Sequence, residues 1–191
     1  MARLCILRED LYLELRGMVD KPIPDLDECS SDWREIYFFR NSVRTLLEIR
    51  GAAETIRKKK AFMQALAKQP HRLKVSFDKL ASALNLVHAL IRKLRNEVGG
   101  GHVSQEALEE ALTITAHDTK GLLQLGDKPK ELHYKFALEF IGAAMLRHVS
   151  YQDAQKEWQR ILESTFELSF KAIKAIDLLF VAYSRIYNLR I

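Results

Sequence analysis

Residues 77–98 read FDKLASALNLVHALIRKLRNEV, and this stretch decides the fold. Its apolar side chains recur three and four residues apart, at Phe77, Leu80, Leu84, Val87, Ile91 and Leu94. This spacing places them on one narrow face of an α-helix, the seam by which a helix contacts a neighbour in an antiparallel bundle. Glycines follow at positions 99–101. Because Gly accepts the left-handed backbone that ends many helices, we predict the helix end at residues 95–98.

Two further helices are predicted on the N-terminal side, one from Ala2 to about Met18 and a longer one from Asp32 to about Ala67. Asp32 and Glu35 have the spacing of a capping box, and Pro70 prevents continuation beyond the second helix. The apolar faces consist of Leu4, Leu7, Leu11 and Leu15 in the first helix, and of Ile36, Phe39, Val43, Leu46, Leu47, Ala53 and Ile56 in the second.

On the C-terminal side, Ser104 is a credible N-cap for a short helix through Leu112. Residues 118–136 leave two alternatives open, a small β-hairpin near 121–136 or a helix opened by Asp127. Helical spacing resumes at about 136–146 and again from about Asp153 to Asn188. The last face consists of Trp158, Ile161, Phe166, Ile173, Ile176, Leu179, Phe180 and Tyr183. The sequence therefore predicts an all-α antiparallel bundle of five to seven helices forming one domain over 1–191.

Composition excludes several classes of protein. The chain has 191 residues, of which 48% are hydrophobic and 29% charged, so a disordered chain is excluded. No apolar run reaches the roughly 18 residues that span a bilayer, and the first residues lack the apolar region of a secretory signal. Cys5 and Cys29 are too few for a disulfide framework. We therefore expect a cytoplasmic protein without a membrane partner. The net charge of +5 is compatible with binding nucleic acid.

One local constellation has the residue types of phosphodiester chemistry. Arg95 and Asn96 close the predicted helix, and His102 follows the three glycines. Arg presents a planar fork of donors to phosphate oxygens and keeps its charge, whereas His exchanges a proton near neutral pH. Ordinary helix termination is the competing interpretation, since Arg is favourable in a last helical turn and His102 could cap the next helix.

The pattern of Arg, a polar residue, four or five residues and then His resembles the signature motif of the HEPN superfamily of α-helical domains. Here it reads Arg95-Asn96, five residues, His102. Its position after a long bundle helix resembles the family as well. The resemblance implies a HEPN-like domain core at about 32–117, with helical additions on its N- and C-terminal sides. The resemblance implies a metal-independent endoribonuclease with a toxin or host-defence role, a homodimer with a composite cleft, and in some members a protein antitoxin. It further implies that Arg95 binds the scissile phosphate, that His102 transfers a proton and that Asn96 orients the phosphate or His102.

A second candidate for RNA contact is the run Arg57, Lys58, Lys59 and Lys60, with Arg40, Arg44 and Arg50 upstream. Cations along a helix can follow an RNA backbone, although a charge run is also typical of a solvated face. The six histidines show no metal-ligand spacing, so neither a metal nor a cofactor is predicted. Besides the ribonuclease, two functions remain open: a non-catalytic HEPN-like module that binds a protein or a nucleotide, and a purely structural or regulatory helical dimer.

Overall fold

A computed structural model describes residues 1–19, 28–86, 105, 106, 109, 113, 123, 124, 133, 134 and 153–189 of the chain. This part contains five helices with defined bounds: α1 Ala2–Val19, α2 Glu28–Arg57, α3 Lys60–Ala67, α4 His71–Leu86 and α5 Ala154–Ile186. They enclose one hydrophobic core, whose largest fully buried side chains include Leu11, Phe39, Leu46, Ile49, Leu66, Phe77, Ile176 and Leu179. The predicted all-α bundle is confirmed.

The first helix lies antiparallel to the second, as predicted for sequential helices. Near its start, Arg3 pairs with Glu48 at 3.0 Å, and near its end Gly17 lies against the ring of Phe38. The order of contacts along α2 is therefore reversed relative to α1. The predicted apolar face of α1 is confirmed in full, since its four leucines are all buried at Leu4, Leu7, Leu11 and Leu15.

The predicted bounds of the long second helix are wrong at both ends. It begins at Glu28, so Asp32 and Glu35 lie inside the helix and do not form its capping box. Acidic residues are favourable where a helix begins, and residues 27 and 28 are both acidic in sequence. The helix ends at Arg57, because Lys59 has φ −83° and ψ 87°, and a new helix, α3, begins at once.

This break in the predicted helix has a packing reason. Beyond it, Phe62 and Leu66 of α3 are buried in the core, with 8% and 0% of their surfaces exposed. On a straight continuation Arg57 and Lys60 would also lie three residues apart on one face, where like charges are unfavourable. The change of direction therefore buries the apolar face of α3 and leaves the cations in water.

The fifth helix lies along both α2 and α4. The rings of Phe39 and Trp158 meet edge to face with centroids 5.0 Å apart, and further along both helices Ile56 and Tyr183 line one cavity, so α2 and α5 run parallel. Helix α4 also contacts α2, and Arg50 Nε donates a hydrogen bond to Asn85 Oδ1 at 2.9 Å there.

Residues between α4 and α5 are described only in part. Leu123–Gln124 (β1) and His133–Tyr134 (β2) pair antiparallel, with Leu123 opposite Tyr134 and Gln124 opposite His133. This pairing supports the hairpin alternative for residues 118–136. Residues 105, 106, 109 and 113 are helical, in agreement with the short helix predicted after Ser104. Among the described residues, none of the helices has both the length and the apolar character needed to cross a bilayer.

Candidate functional site

The predicted site residues fall into two groups. Arg57, Lys58, Lys59 and Lys60 form the junction between α2 and α3, and all four side chains are exposed. The predicted catalytic residues Arg95, Asn96 and His102 lie outside the described residues. Their arrangement and their predicted position near a dimer axis therefore stay predictions.

The basic junction has a defined backbone. Lys58 N donates to Glu54 O at 3.2 Å, and Lys59 N donates to Ile56 O at 2.9 Å, so the last turn of α2 tightens before the chain turns. Within the described part of the chain, no carboxylate forms an ion pair with any of these four cations. The junction is therefore a fixed cluster of unneutralised positive charge in water.

The arginines upstream on α2 are not equivalent to the junction. Arg44 pairs with Glu48 at 3.9 Å and Arg50 pairs with Glu54 at 2.8 Å, both one helical turn apart. Arg40 is half-buried, its Nε has no hydrogen-bond partner within the described residues, and burial lowers its pKa. Among the described side chains of α2, positive charge that is both exposed and unpaired is therefore concentrated at the C-terminal end, at Arg57.

A cavity of about 400 Å³ opens beside the junction and has an aromatic wall. Lys59 and Thr55 contribute its polar rim, and the rings of Tyr183 and Tyr187 lie with centroids 4.6 Å apart. Phe62 extends the wall, with its ring centroid 6.1 Å from that of Tyr183. An aromatic wall next to a lysine has the chemistry to hold a planar ring beside an anion.

A second basic surface was missed by the sequence analysis. Four exposed cations line a cleft of about 610 Å³ between α4 and α5: Arg72, Lys79, Lys171 and Lys174. The sequence does contain a sign of this basic surface, because residues 57–79 include eight Lys or Arg and only one acid, Asp78. The net charge of this segment is +7, against +5 for the whole chain. The other wall of the cleft comes from α5, about a hundred residues later, and only the fold brings it there.

The α1–α2 interface contains a titratable group that sequence spacing did not reveal. Glu14 is half-buried there and accepts a hydrogen bond from Thr45 Oγ1 at 2.8 Å, while its second oxygen, Oε2, is buried without a partner within the described residues. Burial, and to a lesser degree the nearby Asp10, raises the pKa of Glu14 to about 7, against the lowering effect of the Thr45 hydrogen bond and of Arg44. Because this carboxyl lies in the contact between two helices, its ionisation affects the stability of the folded protein.

No group of three or more metal-ligating side chains occurs among the residues that the structure describes. The two basic surfaces thus offer cationic contacts for an anion, and the cavity beside Lys59 adds aromatic ones. Comparison of the chain with protein-family models, with curated proteins and with solved structures gave no match.

Proposed function

We propose that the chain is a metal-independent endoribonuclease of the HEPN type. The observation that carries this proposal is the sequence Arg95-Asn96, five residues, His102, placed directly after a long amphipathic helical pattern. The all-α bundle is consistent with the proposal. The exposed, unneutralised cations at Arg57–Lys60 add support, because a protein that acts on RNA must first attract a polyanion.

The chemistry assigned to the motif is an internal transesterification. The ribose 2′-hydroxyl attacks the adjacent phosphorus and loses its proton, the new bond joins the 2′-oxygen to phosphorus, and the bond from phosphorus to the 5′-oxygen breaks. The leaving 5′-oxygen takes up a proton, so the products are a 2′,3′-cyclic phosphate and a 5′-hydroxyl. His102 transfers a proton in this step, Arg95 stabilises the negative charge that grows on the phosphoryl oxygens, and Asn96 orients the phosphate or His102.

A single Arg95–His102 pair supplies limited positive charge to a pentacoordinate phosphorus. We therefore propose a homodimer in which both chains contribute their motifs to one cleft near the two-fold axis. Light scattering should give the mass of a dimer at micromolar concentration, and a monomer there would contradict the composite cleft. The physiological role that fits such an enzyme is that of a cytoplasmic toxin or host-defence effector, held inactive by a protein antitoxin.

Replacement of the proposed proton-transfer residue tests the proposal. His102→Ala should slow cleavage of single-stranded RNA about 10²–10⁴-fold, the usual contribution of general acid–base catalysis, in a buffer with EDTA. The matched control is His71→Ala, which removes an exposed imidazole at the start of α4. His71→Ala should cut at the wild-type rate. Equal rates for wild type and His102→Ala would exclude the motif as the active site.

Arg95 should affect both binding and cleavage. Its guanidinium holds the phosphate in the ground state as well as in the transition state, so Arg95→Ala should weaken RNA binding and also lower the cleavage rate. Arg44→Ala is the control, because it removes an exposed arginine of α2 that is paired with Glu48. If neither wild type nor any variant cuts a varied set of RNAs, a non-catalytic helical module that binds a protein or a nucleotide becomes the better account.

A further inference from the structure

The cleft between α4 and α5 has the form of a charged channel. Arg72 and Lys79 belong to α4, whereas Lys171 and Lys174 belong to α5, so each wall contributes two cations. The floor between the walls is apolar and is formed by Val75, Leu80, Ala83 and Leu178. A cleft with cationic walls and an apolar floor is suited to a ligand with an anionic edge and less polar groups beside it.

Most of this charge is not neutralised. Within the described residues, Arg72, Lys79 and Lys174 form no ion pair. Lys171 is the exception, since its Nζ lies 2.6 Å from Glu167 Oε1 one turn away on the same helix. Three exposed cations in one cleft repel each other, and that repulsion is relieved when an anion binds between them.

The spacing of the cations indicates more than one anionic group. Arg72 and Lys79 are seven residues apart, which corresponds to about 10 Å along a helix, and Lys171 and Lys174 are about 4–5 Å apart along theirs. A single small anion cannot reach all four positions, whereas a chain of phosphates can. The same region of sequence, residues 57–79, carries more net positive charge than the whole protein, which favours capture of a polyanion at long range.

We propose that the cleft between α4 and α5 binds the phosphodiester backbone of single-stranded RNA and holds the strand on the surface of the protein. Arg72 and Lys174 contact phosphates from opposite walls, and the apolar floor accommodates sugars or bases. This inference rests on the proposed function for the choice of RNA as the polyanion, and it adds a binding surface formed by residues outside the Arg95–His102 motif.

The test compares two double variants that lower the net charge equally. Arg72→Gln/Lys174→Gln removes one cation from each wall, and Arg3→Gln/Arg44→Gln removes two exposed cations at the α1–α2 surface. All four side chains are exposed, so neither variant creates a cavity, and far-ultraviolet circular dichroism should match wild type. Both are made in the His102→Ala background, so that the RNA stays intact during the binding measurement.

Binding of a fluorescent 20-nucleotide single-stranded RNA is followed by anisotropy between about 50 and 200 mM salt. The slope of log K against log salt is negative, and each lost phosphate contact reduces its magnitude by about 0.7 on a single strand, so two lost contacts reduce it by about 1.4. At about 0.1 M salt this corresponds to an affinity about 25-fold weaker for the cleft variant. The control variant should keep nearly the parent slope and affinity.

Two results would overturn the inference: equal weakening in both double variants, or no binding of RNA by the parent protein. In the second case, binding of an acidic protein through the same cations would assign the cleft to a different partner. This test of RNA binding and the test of RNA cleavage can fail independently of each other. A protein that binds RNA through this cleft but does not cut it would refute the ribonuclease and leave the binding surface in place.

Discussion

The half-buried Glu14 should make the stability of the bundle depend on pH in a way that one substitution removes. Its carboxyl lies between α1 and α2, with Thr45 bonded to one oxygen and no partner within the described residues for the other. Burial raises its pKa from the ordinary 4.5 to about 7. In the folded protein the group is therefore mostly protonated at pH 5–6, whereas in the unfolded chain it is mostly ionised.

The direction in which stability changes with pH follows from this difference between the folded and unfolded pKa of Glu14. A carboxyl whose pKa is higher in the folded state favours folding only while it is protonated. Stability should therefore fall as the pH rises from about 4.5 through about 7, and it should level off above that range. Glu14→Gln keeps a carbonyl oxygen that can accept the Thr45 hydrogen bond but never ionises. The variant should match wild type near pH 4 and exceed it at pH 8.

The change in the pKa of Glu14 sets an upper bound on the difference in stability between wild type and Glu14→Gln. A rise from 4.5 to about 7 corresponds to about 3 kcal/mol at most. Water still reaches part of the Glu14 side chain and screens it, so we expect about 1–2 kcal/mol at pH 8. For a protein of this length that difference corresponds to a rise in Tm of roughly 2–8 °C.

Thermal unfolding of wild type and Glu14→Gln at pH 4, 5, 6, 7 and 8 gives the required comparison. The control is Glu163→Gln on α5, an exposed carboxyl that accepts a hydrogen bond from Gln159 at 2.8 Å. Because Glu163 stays in water, its variant should differ from wild type by a small amount that varies little with pH. A constant Tm difference for Glu14→Gln from pH 4 to pH 8 would refute the assignment of a raised pKa to this carboxyl.

Three further substitutions test the helices by thermal or urea unfolding, one of them through helix propensity in α2 and two through the contacts of α1. Gly51→Ala should stabilise the protein by about 0.5–1 kcal/mol, because no atom lies within 4 Å of the added methyl group and Ala is the better helix former. Gly17→Ala should instead destabilise it by about 1–2 kcal/mol, since the same methyl would lie 2.5 Å from the ring of Phe38; a stabilised variant would contradict this packing. Asp177→Ala removes the two hydrogen bonds, 3.0 and 3.3 Å, that Arg8 donates from α1 to α5, and should cost about 0.5–1 kcal/mol. That loss should shrink in 1 M salt, and a loss independent of salt would show that the ion pair is not its cause.

The spacing of apolar residues was sufficient to predict a helix and its buried face wherever the helix has one buried face. The four leucines predicted to form the apolar face of α1 are all buried, whereas Leu13, which lies off that face, is 62% exposed. In α4, Phe77, Leu80 and Leu84 are each at most 3% exposed. The bounds of α5 also agree to within a residue or two with the predicted helix from Asp153 to Asn188. In these helices every apolar residue at helical spacing has the same requirement for burial, so periodicity alone identifies the face.

Features that depend on contacts distant in sequence were not predictable. The helix breaks after Arg57 because the side chains of Phe62 and Leu66 are buried in the core only when the chain changes direction there. Glu14 acquires its raised pKa from burial in the interface with α2, where its contact Thr45 lies 31 residues away in sequence. The cleft between α4 and α5 requires two walls from helices that are far apart in sequence, His71–Leu86 and Ala154–Ile186. Spacing along one helix contains no information about which helix will face it.

The most direct test of the ribonuclease proposal compares two substrates with the wild-type protein. One is a single-stranded RNA, and the other has the same sequence with every 2′-hydroxyl replaced by hydrogen, both in a buffer with EDTA. The proposal predicts that the RNA is cut to fragments ending in a 2′,3′-cyclic phosphate and that the 2′-deoxy strand stays intact, since it lacks the internal nucleophile. Cleavage of both strands at similar rates, or cleavage of RNA only after a divalent metal is added, would contradict it.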